Sequence, residues 1–121
     1  MSLNQLGAAG AQSISTSLKN NHTLTTLDLS NNQHGDAGIQ VFCSVLKDNC
    51  TLRTLDLRYN QISFAGVQAL STALKDNCTI MNLNLNSNEI GAAGAKELSA
   101  ALKDNHTLTT LDGRVEQFNF L

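Results

Sequence analysis

A chain of 121 residues has room for one domain with a core of its own, and 19 leucines beside no Trp, one Tyr and four Phe make that core aliphatic. With 8 basic against 10 acidic side chains and a net charge of −2, the chain lacks the basic footprint that nucleic-acid binding requires. No run approaches the ~18–20 apolar residues of a membrane span, and no basic region followed by an apolar stretch opens the chain; no membrane segment and no secretory signal are expected, and the expected compartment is the cytoplasm.

In chain order, GAAGAQSISTSLKNN from Gly7 predicts a helix over 8–19, the second half of a unit. LTTLDLSNN at 24–32 predicts a strand over 25–30, with Leu27 and Leu29 pointing one way and Thr26, Asp28 and Ser30 the other. GDAGIQVFCSVLKDN from Gly35 predicts a helix over 36–47, with Ile39, Phe42 and Leu46 in one stripe. Both phrases return 28 residues later: LRTLDLRYN at 52–60 predicts a strand over 53–58, and SFAGVQALSTALKDN from Ser63 a helix over 64–75 with the stripe Val67, Leu70, Leu74. A third copy, IMNLNLNSN at 80–88 and GAAGAKELSAALKDN from Gly91, predicts a strand over 81–86 and a helix over 92–103. LTTLDGRVE at 108–116 opens a fourth with a strand over 109–112, but Gly113 replaces its third leucine and no helix pattern follows. Phe118 alone keeps an expected apolar place in that tail, which either covers the last strand or marks where a longer array is interrupted.

Other positions recur in step. Asn32, Asn60 and Asn88 follow each strand, where an amide can bond the backbone of the adjacent turn and stack into a ladder. An Ala-Gly pair opens each helix (Ala9-Gly10, Ala37-Gly38, Ala65-Gly66, Ala93-Gly94), and its small size allows a close approach. Each helix closes on Leu-Lys-Asp-Asn or Leu-Lys-Asn-Asn: the Lys suits the helix dipole, and the Asn a left-handed cap. His34 stands where other repeats carry Leu6, Ile62 and Ile90, and reads as a neutral, partly buried imidazole bonded to a carbonyl, with a pH-sensitive or ligand role as the alternative. Cys50 and Cys78 share a position with His22 and His106 and read as small buried residues. An odd count of three cysteines argues against a disulfide framework.

A fixed 28-residue period denotes a solenoid of stacked strand–loop–helix units, with strands on the concave face and helices on the convex one. The phrase L-x-x-L-x-L-x-x-N-x-I followed by x-x-x-G-x-x-x-L-x-x-x-L, running over residues 4 to about 112, resembles the leucine-rich repeat. Its subclass is that of ribonuclease inhibitor, which includes nucleotide-binding immune receptors, the Ran GTPase-activating protein and tropomodulin. The resemblance implies an α/β leucine-rich repeat solenoid, a right-handed βα superhelix forming a short horseshoe arc. It would be a single domain over 1–121: half repeat 1–21, repeats 22–49, 50–77 and 78–105, and a degenerate last repeat and tail over 106–121. It also implies a non-catalytic module that binds a protein.

The residues agree. There is no Cys-x-x-Cys, His-Glu-x-x-His, Walker or nucleophile-elbow pattern, and no catalytic, cofactor or metal residue is predicted. His22 and His106, three repeats apart, lie about 15 Å from each other and cannot share a metal. Gly7-Ala-Ala-Gly10 has a counterpart at each later helix start (GDAG at 35–38, SFAG at 63–66, GAAG at 91–94), so packing explains it better than phosphate binding. Asn21, Asn49, Asn77 and Asn105 each begin a glycosylation sequon, at a turn where Asn and Thr have structural roles. The candidate surface is the outward strand lattice: Thr26, Asp28 and Ser30; Thr54, Asp56, Arg58 and Tyr59; Asn82, Asn84 and Asn86. Thr110, Asp112 and Arg114 continue it. Asp28 beside Asp56 either tolerates repulsion in solvent or awaits a cationic group, while Arg58 and Tyr59 are the residue types of binding hot spots. The expected function is protein–protein interaction through this face and the strand-exit loops. The alternative is a purely structural segment of a longer array, as in an immune receptor or GTPase regulator. Poorly capped ends lead to an expectation of marginal stability or end-to-end self-association through the terminal repeats.

Overall fold

The computed structural model describes residues 7–77, 79–103, 105, 107–112, 114–115 and 118–119. The expectations for Leu6, Cys78, His106, Gly113 and the side chains of Arg114 and Phe118 lie outside what is described. Four helices, α1 (Gly7–Lys19), α2 (Gly35–Leu46), α3 (Phe64–Asp76) and α4 (Gly91–Leu102), alternate with four strands, β1 (Thr26–Asp28), β2 (Thr54–Asp56), β3 (Asn82–Asn84) and β4 (Thr110–Asp112). The strands form one parallel sheet in chain order, and every residue faces the one 28 positions on: Leu27 opposite Leu55, Leu55 opposite Leu83, Leu83 opposite Leu111. The sequence period is therefore the sheet register.

Regular strand is shorter than the pattern predicts, at three residues each. The inter-repeat hydrogen bonds nonetheless run on, from Leu29 N–H to the Asp56 carbonyl (2.9 Å), Asn31 N–H to Arg58 (2.9 Å) and Leu57 N–H to Asn84 (2.9 Å). Helices pack in the same order, α1 on α2, α2 on α3 and α3 on α4. A helix needs 8–10 Å to its neighbour and a strand about 4.8 Å, so the stack curves with the sheet on the inner side. In place of a fifth helix, β5 (Arg114–Val115) and β6 (Phe118–Asn119) form a short antiparallel pair, and β5 lies against α4.

Leu27, Leu55, Leu83 and Leu111 make one buried row, Leu29, Leu57 and Leu85 a second, and the helix stripes close over them with Phe42, Leu70 and Leu98 at 1% exposure or less. The small helix-opening residues act mainly against the loop before them. A Cβ on Gly94 would stand 2.7 Å from Ile90 Cγ2, and one on Gly66 would stand 2.8 Å from Ile62 Cγ2 and collide with the Asp36 carboxylate. That carboxylate accepts from the Ser63 amide (2.7 Å) and hydroxyl, pinning the start of α3 to α2. Ser63 is extended there (φ −111°), whereas Gly35 and Gly91 reach their helices through φ +66° and +71°, a region glycine enters without penalty.

Two asparagine ladders join the repeats. At the strand exit, Asn60 Oδ1 accepts from Asn32 N–H (3.2 Å) and His34 N–H (3.3 Å), while its Nδ2 donates to the Leu29 (2.8 Å) and Arg58 (3.1 Å) carbonyls. Asn88 does the same for Asn60 and Ile62. The second ladder corrects the sequence reading of the helix ends. Asn77 is extended (φ −81°, ψ 129°), not left-handed. Its Oδ1 accepts from Thr79 and Ile80 N–H, and its Nδ2 donates back to the Leu46 carbonyl at 2.7 Å. Asn105 repeats this arrangement on Leu74. Because the side chain caps the next turn, the backbone has no need of a left-handed residue.

Candidate protein-binding surface

On the exposed face of the sheet the register places Thr26, Thr54, Asn82 and Thr110 in one row and Asp28, Asp56, Asn84 and Asp112 in the next. The second row ends each strand in the same way. Asp28 Oδ1 accepts from Ser30 N–H (2.9 Å), Asp56 Oδ1 from Arg58 N–H (3.1 Å) and Asn84 Oδ1 from Asn86 N–H (3.0 Å). Two of the charges in this row, Asp28 and Asp56, are also met locally. The Ser30 hydroxyl (2.6 Å) holds the Asp28 pKa below its ordinary value, helped by the Ser30 amide. Arg58 clasps Asp56 through Nε (3.0 Å to each oxygen) and Nη2 (2.7 Å), and these bonds raise the guanidinium pKa further. Arg58 thus neutralises one of the two paired carboxylates, Asp56, while Asp28 is held by Ser30.

The lattice is not uniformly available to a partner. Ser30 is buried at 2%, its hydroxyl turned to Asp28, so it belongs to the turn and not to the open surface. Thr54, Asp56, Arg58, Asn82, Asn84 and Asn86 are half-buried, and Thr26, Asp28 and Asp112 are exposed. Asn82 Nδ2 also donates to Thr54 Oγ1 (3.2 Å), tying two repeats across the face. Tyr59 stands out at 52% exposure with φ +55°, a left-handed residue aimed away from the core at the strand exit.

Sequence reasoning missed two exposed apolar side chains. Phe64, the first residue of α3, and Met81, just before β3, are each 40% exposed. Their signal was in the alignment of repeats, since Phe64 stands where the others carry Ala8, Asp36 and Ala92, and Met81 where they carry Thr25, Arg53 and Thr109. A separate cleft of about 390 Å³ lies off the sheet, between the ends of α1 and α2, bordered by Leu18, His22, Val45, Asp48 and Cys50. Cys50 is exposed there, contrary to the sequence reading, because the asparagine ladder and not the cysteine fills the turn. The buried thiol is Cys43 on α2, where burial pushes its pKa up to about 12. Among the described residues no three His, Cys, Asp or Glu side chains gather as metal ligands. No helix there is long and apolar enough to cross a membrane.

His34 is buried at 3%; its Nδ1 bonds the Gly7 carbonyl (2.9 Å), and its Nε2 has no hydrogen-bond partner among the described residues. Burial lowers its pKa, against a smaller raising effect of the Gly7 bond. The folded chain thus keeps it neutral where the unfolded chain, near an ordinary pKa of about 6.5, takes up a proton. Its contribution is complete above about pH 6.5 and is lost as pH falls through the lowered folded value. His34→Leu is expected to flatten the fall in urea midpoint between about pH 7 and pH 5. A slope unchanged by the substitution would place the titrating group elsewhere.

Comparison with known proteins adds three findings. No curated protein matches the chain. A solved structure described as leiomodin-1 actin-binding site 2 superposes with a TM-score of 0.83 at 27% identity, over 88% of this chain and 62% of that one. A model of the leucine-rich repeat matches residues 20–43, 48–71 and 76–99, in the same phase as the sheet register and over more than half of the sequence. The chain belongs to the leucine-rich repeat family.

Proposed function

We propose that this repeat domain is a non-catalytic protein-binding module, and that its partner lies across the inner face of the sheet and the strand-exit loops with Asp56, Arg58 and Tyr59 near the centre. One observation carries the reading. The buried rows are leucine in each of the first three repeats, whereas the outward positions vary: Thr26 and Thr54 give way to Asn82, Asp28 and Asp56 to Asn84, and the third position is Ser30, Arg58 and Asn86 in turn. Scaffold and surface vary separately, as a recognition face requires. The face is pre-formed by the asparagine ladders and the Arg58–Asp56 clasp, so a partner would order little of the chain on binding. The 28-residue period favours the ribonuclease-inhibitor-like subclass, whose members suggest a cytoplasmic location, and residues that spell no motif for chemistry suit an adaptor better than an enzyme. Likeness to a leiomodin segment described as actin-binding makes actin the first partner to test. The chain spans 62% of that structure, so the leiomodin activity comes to it as a hypothesis.

The test is co-sedimentation with filamentous actin and pull-down from lysate, followed by titration of whichever partner is found. Arg58→Ala with Tyr59→Ala is expected to weaken binding roughly five- to thirtyfold, the range for loss of one hot spot, and to leave the thermal melt unchanged. If binding survives that change but fails on altering Lys75 or Lys96 on the helices, the outer side carries the function. If no partner is found, the chain is a structural segment of a longer array.

A further inference from the structure

We propose that in this chain folding and N-glycosylation at Asn77 or Asn105 are mutually exclusive, so that the repeats reach their native stack only in a compartment that lacks the oligosaccharide transferase. Four sequons, Asn21-His-Thr, Asn49-Cys-Thr, Asn77-Cys-Thr and Asn105-His-Thr, recur at the helix-to-strand turns. Such a turn is where an accessible acceptor would ordinarily stand. Here the acceptor nitrogen is spent on the fold. Asn77 is 3% exposed, and its Nδ2 donates to two carbonyls of the preceding repeat, Leu46 (2.7 Å) and Asn49 (3.3 Å). Asn105 Nδ2 donates to Leu74 (2.8 Å) and Asn77 (3.3 Å).

The transferase forms a bond from Nδ2 to C1 of an oligosaccharide as the C1–oxygen bond to its lipid pyrophosphate carrier breaks, and Nδ2 gives up one proton. One of the two donated hydrogens is lost, and a sugar replaces it between two repeats in contact. The two carbonyls cannot both keep their partner, and the turn cannot close on its neighbour.

The fold and the transferase need different halves of the sequon. The asparagine oxygens accept from backbone N–H groups at 2.8–3.0 Å: Thr79 and Ile80 for Asn77, Thr107 and Leu108 for Asn105. The threonine hydroxyls make only long bonds, Thr79 Oγ1 at 3.4 Å to the Asn49 carbonyl and 3.5 Å to Asn77 Oδ1, and Thr107 Oγ1 at 3.3 Å to Asn105 Oδ1. Valine in place of threonine therefore removes the acceptor signal and keeps the ladder. This inference is independent of which protein the sheet face binds.

The experiment fuses the full chain to a secretory leader and translates it with and without endoplasmic-reticulum microsomes, beside a variant carrying Thr23→Val, Thr51→Val, Thr79→Val and Thr107→Val. Without a leader that variant is first required to melt with the parent; should it not, the double variant Thr79→Val with Thr107→Val replaces it, and its modification is read at Asn77 and Asn105. Glycosylation is mapped by mass spectrometry after endoglycosidase treatment, and folding is read as resistance to protease once the vesicles are opened. The expected result is a parent chain modified at Asn77 or Asn105 that has lost protease resistance, and an unmodified valine variant that retains it in the same lumen. The proposal is overturned if the imported parent stays resistant, with Asn77 and Asn105 modified or not, or if the valine variant is as sensitive as the parent.

Discussion

Asn60→Ala is expected to lower the unfolding free energy by roughly 3–5 kcal/mol, as the sum of several buried groups left unpaired. Asn60 is fully buried and makes four bonds to three neighbouring stretches of backbone: the Asn32 and His34 amides, and the Leu29 and Arg58 carbonyls. A methyl group supplies none of these, and the turn is too tightly stacked to admit water to every one. The loss is comparable to the whole stability of a small domain, so the variant is expected to be partly unfolded at 25 °C. Asn88→Ala provides the internal standard. Asn88 bonds the equivalent groups but is half-buried, so water can replace part of what it supplies. Urea melts should separate the two by at least about 1 kcal/mol. Equal losses would mean that burial does not set the value of these bonds.

The ladder that Asn60 belongs to was legible in the sequence, and the ladder through Asn77 was not, for a physical reason. Asn60 follows a Leu-x-Leu strand and precedes the inward Ile62, so its depth is fixed by its neighbours and a buried amide there must find backbone partners. Asn77 follows Lys75 and Asp76, which are exposed, and local context suggested a surface cap. It turns inward because the stretch after α3 must lie on the preceding repeat, a long-range contact that periodicity signals without specifying its atoms. The same limit explains Cys50. Its apolar character suggested burial, but the asparagine beside it already fills the turn. The helices and the register were readable to within a residue because one period served every level, from leucine spacing to strand pairing. The surface was readable as positions and not as interactions. Arg58 beside Asp56 in sequence gave no sign that the guanidinium would clasp the carboxylate, and Ser30 looked as open as Asn86 until its hydroxyl was seen to turn onto Asp28.

Leu55→Ala is expected to cost roughly 2–5 kcal/mol, the range for truncating a buried leucine. Leu55 is 1% exposed and sits in the leucine row between Leu27 and Leu83, so its side chain is shared by two repeat interfaces. In a solenoid the stability is close to a sum of such interfaces, and a cavity at an inner position weakens two of them together. Leu27, at 9% exposure on the edge strand β1, is paired on one side within the described sheet, and its truncation is expected to fall at the lower end of the same range. Thr54 tests the facing. It precedes Leu55 in the same strand, points to the opposite side and is half-buried, with its hydroxyl accepting one bond from Asn82. Thr54→Ala should therefore cost less than about 1 kcal/mol, the loss of a single partly solvated hydrogen bond. The contrast is what matters, because the two substitutions differ in backbone position by one residue and in exposure to the core completely. Should urea melts return similar losses at 54 and 55, the inner and outer faces of the strand would have to be exchanged. The candidate surface built on Asp56 and Arg58 would then move into the core.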